Sequence, residues 1–237
     1  MIHLLWCTVR TSSFPNVHKI WHERTKQKEG VKTHVLVSTQ NEADFLHKYF
    51  QKLNQPNRIV VFQPPYPGVC LPSYELSSTL DFESDDIVVF GSDDFTPPME
   101  WDEYLISKLQ NKTGVLMVRD GYQLPDSSNM LHPAITIPIM TGSALQKMNK
   151  IIYNPIYCHM FSDCELYQVS KELNILIDDR ISDTTVFEHH HHAAGKRRAD
   201  TFDQGYYNKW KEDEIVWNQR KYMSVEDRIK LLNEKEN

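Results

Sequence analysis

Asp93 and Asp94 stand side by side at the end of an apolar stretch, DIVVFGSDDF, residues 86–95. Two adjacent carboxylates at the end of a buried strand repel each other and suffer desolvation, and a divalent cation relieves both costs. The pair also suits a helix cap or a simple turn, because Asp-Asp before Phe-Thr-Pro-Pro readily stops a strand. Residues 186–202, VFEHHHHAAGKRRADTF, carry four consecutive histidines. Imidazole with carboxylate suits Mn2+ or another first-row ion, and carboxylate with phosphate oxygens suits Mg2+ or Mn2+. Alone, such a run is equally a solvated polar loop. The GKRR that follows adds a glycine permitting close backbone approach and three cations, Lys196, Arg197 and Arg198. Cations beside a metal site call for an anion, most simply a diphosphate, whereas a plain basic surface needs no ligand.

A third stretch, FSDCELYQVSKEL, places Ser162 three residues before Glu165, the spacing of a capping box. Glu165 then has a structural role, and Asp163 falls at the first helical position. A carboxylate held at a helix start behind the apolar segment NPIYCHMF is a general-base candidate. It is otherwise a first-turn acid favoured by the helix dipole.

These residues need a scaffold, and the first 120 residues supply one in alternation. Strands are predicted at 3–10, 33–39, 58–63, 86–95 and 114–120, with helices at 16–27, 41–53 and 99–109, the second capped by Asn41. Continuous Val/Ile runs alternating with amphipathic segments predict an α/β fold whose parallel sheet is covered on both faces. Ligands of such sheets bind beyond the carboxyl ends of the strands, where Asp93 and Asp94 lie. Beyond residue 120 the pattern is less regular. A loop is expected at 121–133, helices within 137–148 and 154–173, and short strands in ILIDDRISDTTVFEH. Strand alternation out of TTVFE sends neighbours to opposite sides, so at most two of the four histidines face Asp93 and Asp94. From 201 the chain is charged and helical, and its last helix opens at Ser224 with Asp227 in capping positions.

Composition narrows the classes. The 237 residues are 40% hydrophobic and 11% aromatic, enough for one sizeable core and unlike a disordered chain. With 26 basic against 32 acidic residues the net charge is −6, which weighs against a dedicated nucleic-acid binder. The four cysteines form no CxxC pair and read as free thiols in a reducing compartment. MIHLLWCTV lacks a basic flank and a cleavage site and reads as a strand rather than a signal peptide. No window approaches the roughly 18 apolar residues of a membrane span. A cytoplasmic protein is expected.

A strand ending VVFGSDDF, then SDCEL opening a helix, then VFEHHHHAAGKRRAD resembles, in that order, the metal-dependent GT-A glycosyltransferases. The likeness covers most of residues 1–200 and is greatest to family-2-type inverting enzymes, including small ones encoded by phages and large DNA viruses. It implies a Rossmann-like, mostly parallel sheet flanked by helices, with a nucleotide-sugar half over 1–120, an acceptor half over 121–200 and a C-terminal helical extension over 201–237. It implies that Asp93 and Asp94 hold Mn2+ or Mg2+ against the diphosphate of a UDP- or GDP-sugar, Asp94 as direct ligand. Asp163 would be the inverting base. His190, five residues before Gly-Lys, would complete the metal site, with Lys196 or Arg197 on the phosphates. Thr8 and Arg10 would line the nucleotide pocket. In such a pocket Tyr122, Tyr157 and Trp210 could pack on sugar rings, although aromatic residues of this kind are more often core. The acceptor would be a glycan, a glycoprotein or a modified base in DNA, and the location the cytoplasm of a host where the source is viral. Two rivals stand beside this reading. A nucleotidyltransferase shares the sheet and the acids but carries a glycine-rich phosphate loop near its start, and residues 1–29 hold no glycine. A non-catalytic metal- or sugar-binding module would keep the histidines without turnover.

Overall fold

The computed structural model describes residues 1–8, 10–62, 68–121, 133–181, 185–192, 195–199, 204–205 and 208–230. Seven strands form one mixed sheet in the order β3-β2-β1-β4-β7-β6-β8. They are β1 (Ile2–Cys7), β2 (Val31–Val37), β3 (Asn57–Val61), β4 (Ile87–Gly91), β6 (Val115–Met117), β7 (Ile139–Thr141) and β8 (Leu176–Asp178). Only β7 opposes the rest, antiparallel to both β4 and β6. A small second sheet pairs β5 (Phe95–Thr96) with β9 (Glu188–His189), Phe95 opposite His189. The mostly parallel α/β sheet read from the sequence is the observed fold.

Alternation along β1 shows how the layers form. Ile2, Leu4 and Trp6 enter a core with Trp21 and Trp101, contributed by α1 (Phe14–Glu23) and α4 (Trp101–Leu109). Leu46 and Phe50 of α2 (Gln40–Leu53) complete that face. Leu5 points the other way, towards Leu76 of α3 (Cys70–Ser78), Leu145 of α5 (Gly142–Lys147) and Leu166 of α6 (Ser162–Glu172). Trp217 of α7 (Trp210–Arg220) and Val225 of α8 (Val225–Lys230) belong to the same core, so the C-terminal helices are packed structure.

Several local expectations change. Thr39, not Asn41, caps α2: its hydroxyl accepts from Glu42 N–H while the Glu42 carboxylate accepts from Thr39 N–H. Asn41 lies inside the first turn. The stretch 137–148 divides at Thr141, which ends β7 and caps α5 by accepting from Ala144 N–H. The helix over Cys70–Ser78 had no signal, because its Pro and Ser residues mask the apolar period. The expected loop at 121–133 lies almost wholly outside the described residues, as does Tyr122.

Strands β2 and β3 run off one side of β1, and β4 lies on the other, so the strand order reverses between β1 and β4. That is the topological switch point, where open α/β sheets leave a crevice. Trp6 pairs with Gly91 there. A Cβ on Gly91 would come within 2.7 Å of the Trp6 ring, so only glycine fits at this end of β4. Among the described residues no helix is long and apolar enough to cross a membrane.

Candidate functional site

The crevice brings together the two segments that follow β1 and β4. Arg10 Nη1 donates to Asp93 Oδ2 at 2.6 Å, and Thr8 braces the turn by accepting from Arg10 N–H at 3.0 Å. Burial raises the Asp93 pKa; the Arg10 guanidinium pulls against it and the neighbouring Asp94 adds to it, leaving the carboxyl above its usual value. Asp94 is held differently. Its Oδ1 accepts from the Ser92 hydroxyl at 2.6 Å, and its Oδ2 lies 3.2 Å from His189 Nε2 and 3.9 Å from Arg197 Nη2. Burial alone would raise this carboxyl, but His189, Ser92 and Arg197 outweigh it and hold it well below the usual carboxylate range.

His189 is the histidine that meets the acids. Pairing of β5 with β9 stacks its ring on Phe95, centroids 4.2 Å apart, and turns Nε2 to Asp94. Its Nδ1 faces the buried Asp120, whose Oδ2 is 3.8 Å away and also accepts from the Thr136 hydroxyl. Burial lowers the His189 pKa, but the carboxylates of Asp120 and Asp94 outweigh it and raise it overall. His190, the ligand expected from its spacing to Gly-Lys, points elsewhere: its Nε2 is 3.0 Å from the Thr96 hydroxyl and 3.9 Å from Glu188. The His191 ring lies tilted against His189, centroids 4.9 Å apart, and burial beside its histidine neighbours lowers it to about 4.

Lys196 reaches Glu188 at 3.6 Å, and its Nζ approaches Gly121, the last described residue before 122–132. Gly195 has φ +72° with open space where a Cβ would stand, so it serves the left-handed turn and not a close approach.

Asp163 is half-buried on the first turn of α6. Burial raises its pKa above the usual value, although its Oδ1 accepts from Cys164 N–H at 2.9 Å and the charge of His189 pulls the other way. The capping box expected around it does not form. Phe161 is the N-cap, and the Ser162 hydroxyl turns back to donate to His159 C=O. Glu165 is instead buried in an ion pair, accepting from Arg220 Nε at 3.0 Å and Nη2 at 2.7 Å, with further bonds from Tyr157 Oη and Asn154 Nδ2. The Tyr157 ring is therefore interior and offers no face to a sugar. Trp210 is partly exposed, edge-on to Phe161 at 5.2 Å.

Reading the sequence missed His189, Asp120 and the Glu165–Arg220 pair. His189 had a signal: Phe187 is fully buried, and a period of two from it selects residue 189 for the same side. Among the described residues no group of three His, Cys, Asp or Glu side chains is arranged to hold a metal ion by itself. An imidazole nitrogen and a carboxylate oxygen 3.2 Å apart still suit a Mn2+ or Mg2+ ion whose remaining ligands are phosphate oxygens and water.

No family model matches this chain, and no curated protein matches it in sequence. Solved structures do match in fold. S. aureus TarS, residues 1–349 in complex with UDP-GlcNAc, aligns with a TM-score of 0.59 at 12% identity, over 96% of this chain and 69% of that one. A longer TarS structure gives a TM-score of 0.55 at 14% identity, over 79% of this chain and only 36% of that one. The 4-diphosphocytidyl-2C-methyl-D-erythritol synthase of Anaerococcus prevotii aligns with a TM-score of 0.51 at 9% identity, over 88% and 96%. The chain has the Rossmann-like GT-A fold common to these enzymes and spans about a third of the longer TarS chain.

Proposed function

We propose that the protein is a nucleotide-sugar-dependent glycosyltransferase, moving a sugar from a UDP- or GDP-sugar to an acceptor hydroxyl with inversion. The observation that carries this reading is the pairing at the switch point. Arg10–Asp93 and Asp94–His189 close one crevice, with Arg197 and Lys196 at its edge. That arrangement offers fixed positive charge for a diphosphate and a polar floor for a nucleoside. A divalent ion held by Asp94 and His189 would neutralise charge on the departing diphosphate.

The remaining work falls to the chain itself. Thr8 and Arg10 shape the end nearest β1, where the nucleoside would bind. Asp163, whose carboxyl burial raises above its usual value, is suited to take the proton of an attacking hydroxyl. Inversion follows from a single attack opposite the leaving diphosphate. Residues 1–120 would hold the donor and 121–200 the acceptor, which we place among glycans, glycoproteins and modified DNA, as for the small enzymes of phages and large DNA viruses. The match to UDP-GlcNAc-bound TarS over 96% of this chain supports a nucleotide-sugar as the donor.

A nucleotidyltransferase is the second reading, favoured by the end-to-end match to the Anaerococcus prevotii enzyme. One experiment separates them. The protein with Mn2+ is given a panel of nucleotide-sugars, and in parallel nucleoside triphosphates with sugar 1-phosphates. Release of free sugar from one nucleotide-sugar is expected, with Asp163→Asn slowing transfer roughly 10²–10⁴-fold at unchanged donor affinity. Pyrophosphate formation in the second arm would overturn the glycosyltransferase reading, and silence in both would leave only a binding module.

A further inference from the structure

We propose that Asp213, on α7 and 50 residues from Asp163 in the chain, is the positioning residue for Asp163; this rests on the glycosyltransferase reading. Asp213 is buried, with 2% exposure, and does not face the crevice. Its carboxylate instead accepts three backbone N–H groups in succession, from Cys158 to Oδ1 at 2.7 Å and from His159 and Met160 to Oδ2 at 2.9 and 2.7 Å. Bonds to an ionised acceptor are short and strong, and three on one side chain fix the path of the turn.

That turn needs fixing. It leads into Phe161, whose φ is +64°, a left-handed conformation that costs a bulky L-residue roughly 1–3 kcal/mol and persists only where surroundings impose it. Two residues later comes Asp163. The Phe161 ring is held between Trp217, stacked at 6.0 Å, and Trp210, edge-on at 5.2 Å, both on the same helix as Asp213. Helix α7 thus grips the turn by its amides and by its one strained side chain. The direction in which α6 presents its first turn, and with it the Asp163 carboxylate, is set from α7.

The consequence is specific. Loosening this grip displaces the base without touching donor groups, and a misplacement of about 1 Å costs on the order of 10²-fold in rate. Asp213→Asn keeps one carbonyl oxygen, enough for two of the three amides, whereas Asp213→Ala keeps none. Each variant is compared with wild type in amide hydrogen exchange over residues 158–164, in affinity for UDP with Mn2+, and in transfer or donor hydrolysis. Glu172→Gln is the control. It weakens the contact of α6 with Arg228 at the far end of the helix and is expected to lower Tm with kcat unchanged. For Asp213→Asn we expect faster exchange over 158–164 and about tenfold lower kcat, and for Asp213→Ala about 100-fold lower kcat, with UDP affinity at the wild-type value in both. Where Asp213→Ala does not fold, Asp213→Asn decides alone. Unchanged exchange overturns the proposal, as does faster exchange with unchanged kcat, or a parallel loss of UDP affinity. A wild-type protein that turns over no donor refutes the glycosyltransferase reading instead, and the exchange result then decides by itself whether Asp213 holds the Asp163 segment.

Discussion

Replacing Glu165 by Gln tests whether the C-terminal helices are integral to the domain. Oε1 accepts from Asn154 Nδ2 and Arg220 Nη2, and Oε2 from Tyr157 Oη and Arg220 Nε. An amide must put its NH2 group in place of one of those oxygens, and either choice sets donors against donors. The Tyr157 hydroxyl can rotate to accept, but a guanidinium cannot, so at least one Arg220 N–H loses its acceptor in a site where Arg220 is 2% exposed. Breaking a buried pair from one side costs about 3–5 kcal/mol, because the remaining charge is stranded. For a domain of this size that corresponds to roughly 6–20 °C in Tm. A helix-capping glutamate would cost only about 1 kcal/mol. Thermal and urea unfolding followed by circular dichroism measure the difference, and the double variant Glu165→Leu/Arg220→Met should be more stable than either single change. A loss under about 1 kcal/mol for Glu165→Gln would refute the buried pair.

Two further outcomes are expected. His189→Ala should weaken Mn2+-dependent UDP binding on the order of 10- to 100-fold, by calorimetry with and without chelator, while His190→Ala stays close to wild type; the reverse order would return the ligand role to His190. Stability should fall as pH drops from about 6.5 towards 3, because burial lowers both His18 and His34 to about 3. Between those values the unfolded chain binds the proton and the folded chain does not, so each histidine adds a slope of about 1.4 kcal/mol per pH unit. Replacing His18 by Gln should flatten the acid limb of urea midpoint against pH, and an unchanged limb would refute its assignment.

Much of the scaffold was legible because strand burial leaves a local trace. Val88, Val89 and Phe90 are apolar in succession because both faces of β4 are covered, and the acids follow where that cover ends. The partners of those acids were not legible, since they are set by pairing between strands distant in the chain. His189 meets Asp94 only because β9 pairs with β5 in one register, and shifting that register by one residue would present His190 instead. The spacing of a histidine to Gly-Lys carries no information about register, whereas the buried Phe187 does. Glu165 misled for a similar reason. Ser-x-x-Glu is a local pattern, but the Arg220 that claims this glutamate stands 55 residues later on another helix. A capping box leaves its glutamate near solvent; here α7 covers the site, and a carboxylate so enclosed is retained by a guanidinium and not by a helix end. Local patterns therefore found where chemistry could occur, and the long-range contacts of β9 and α7 determine which side chains face it.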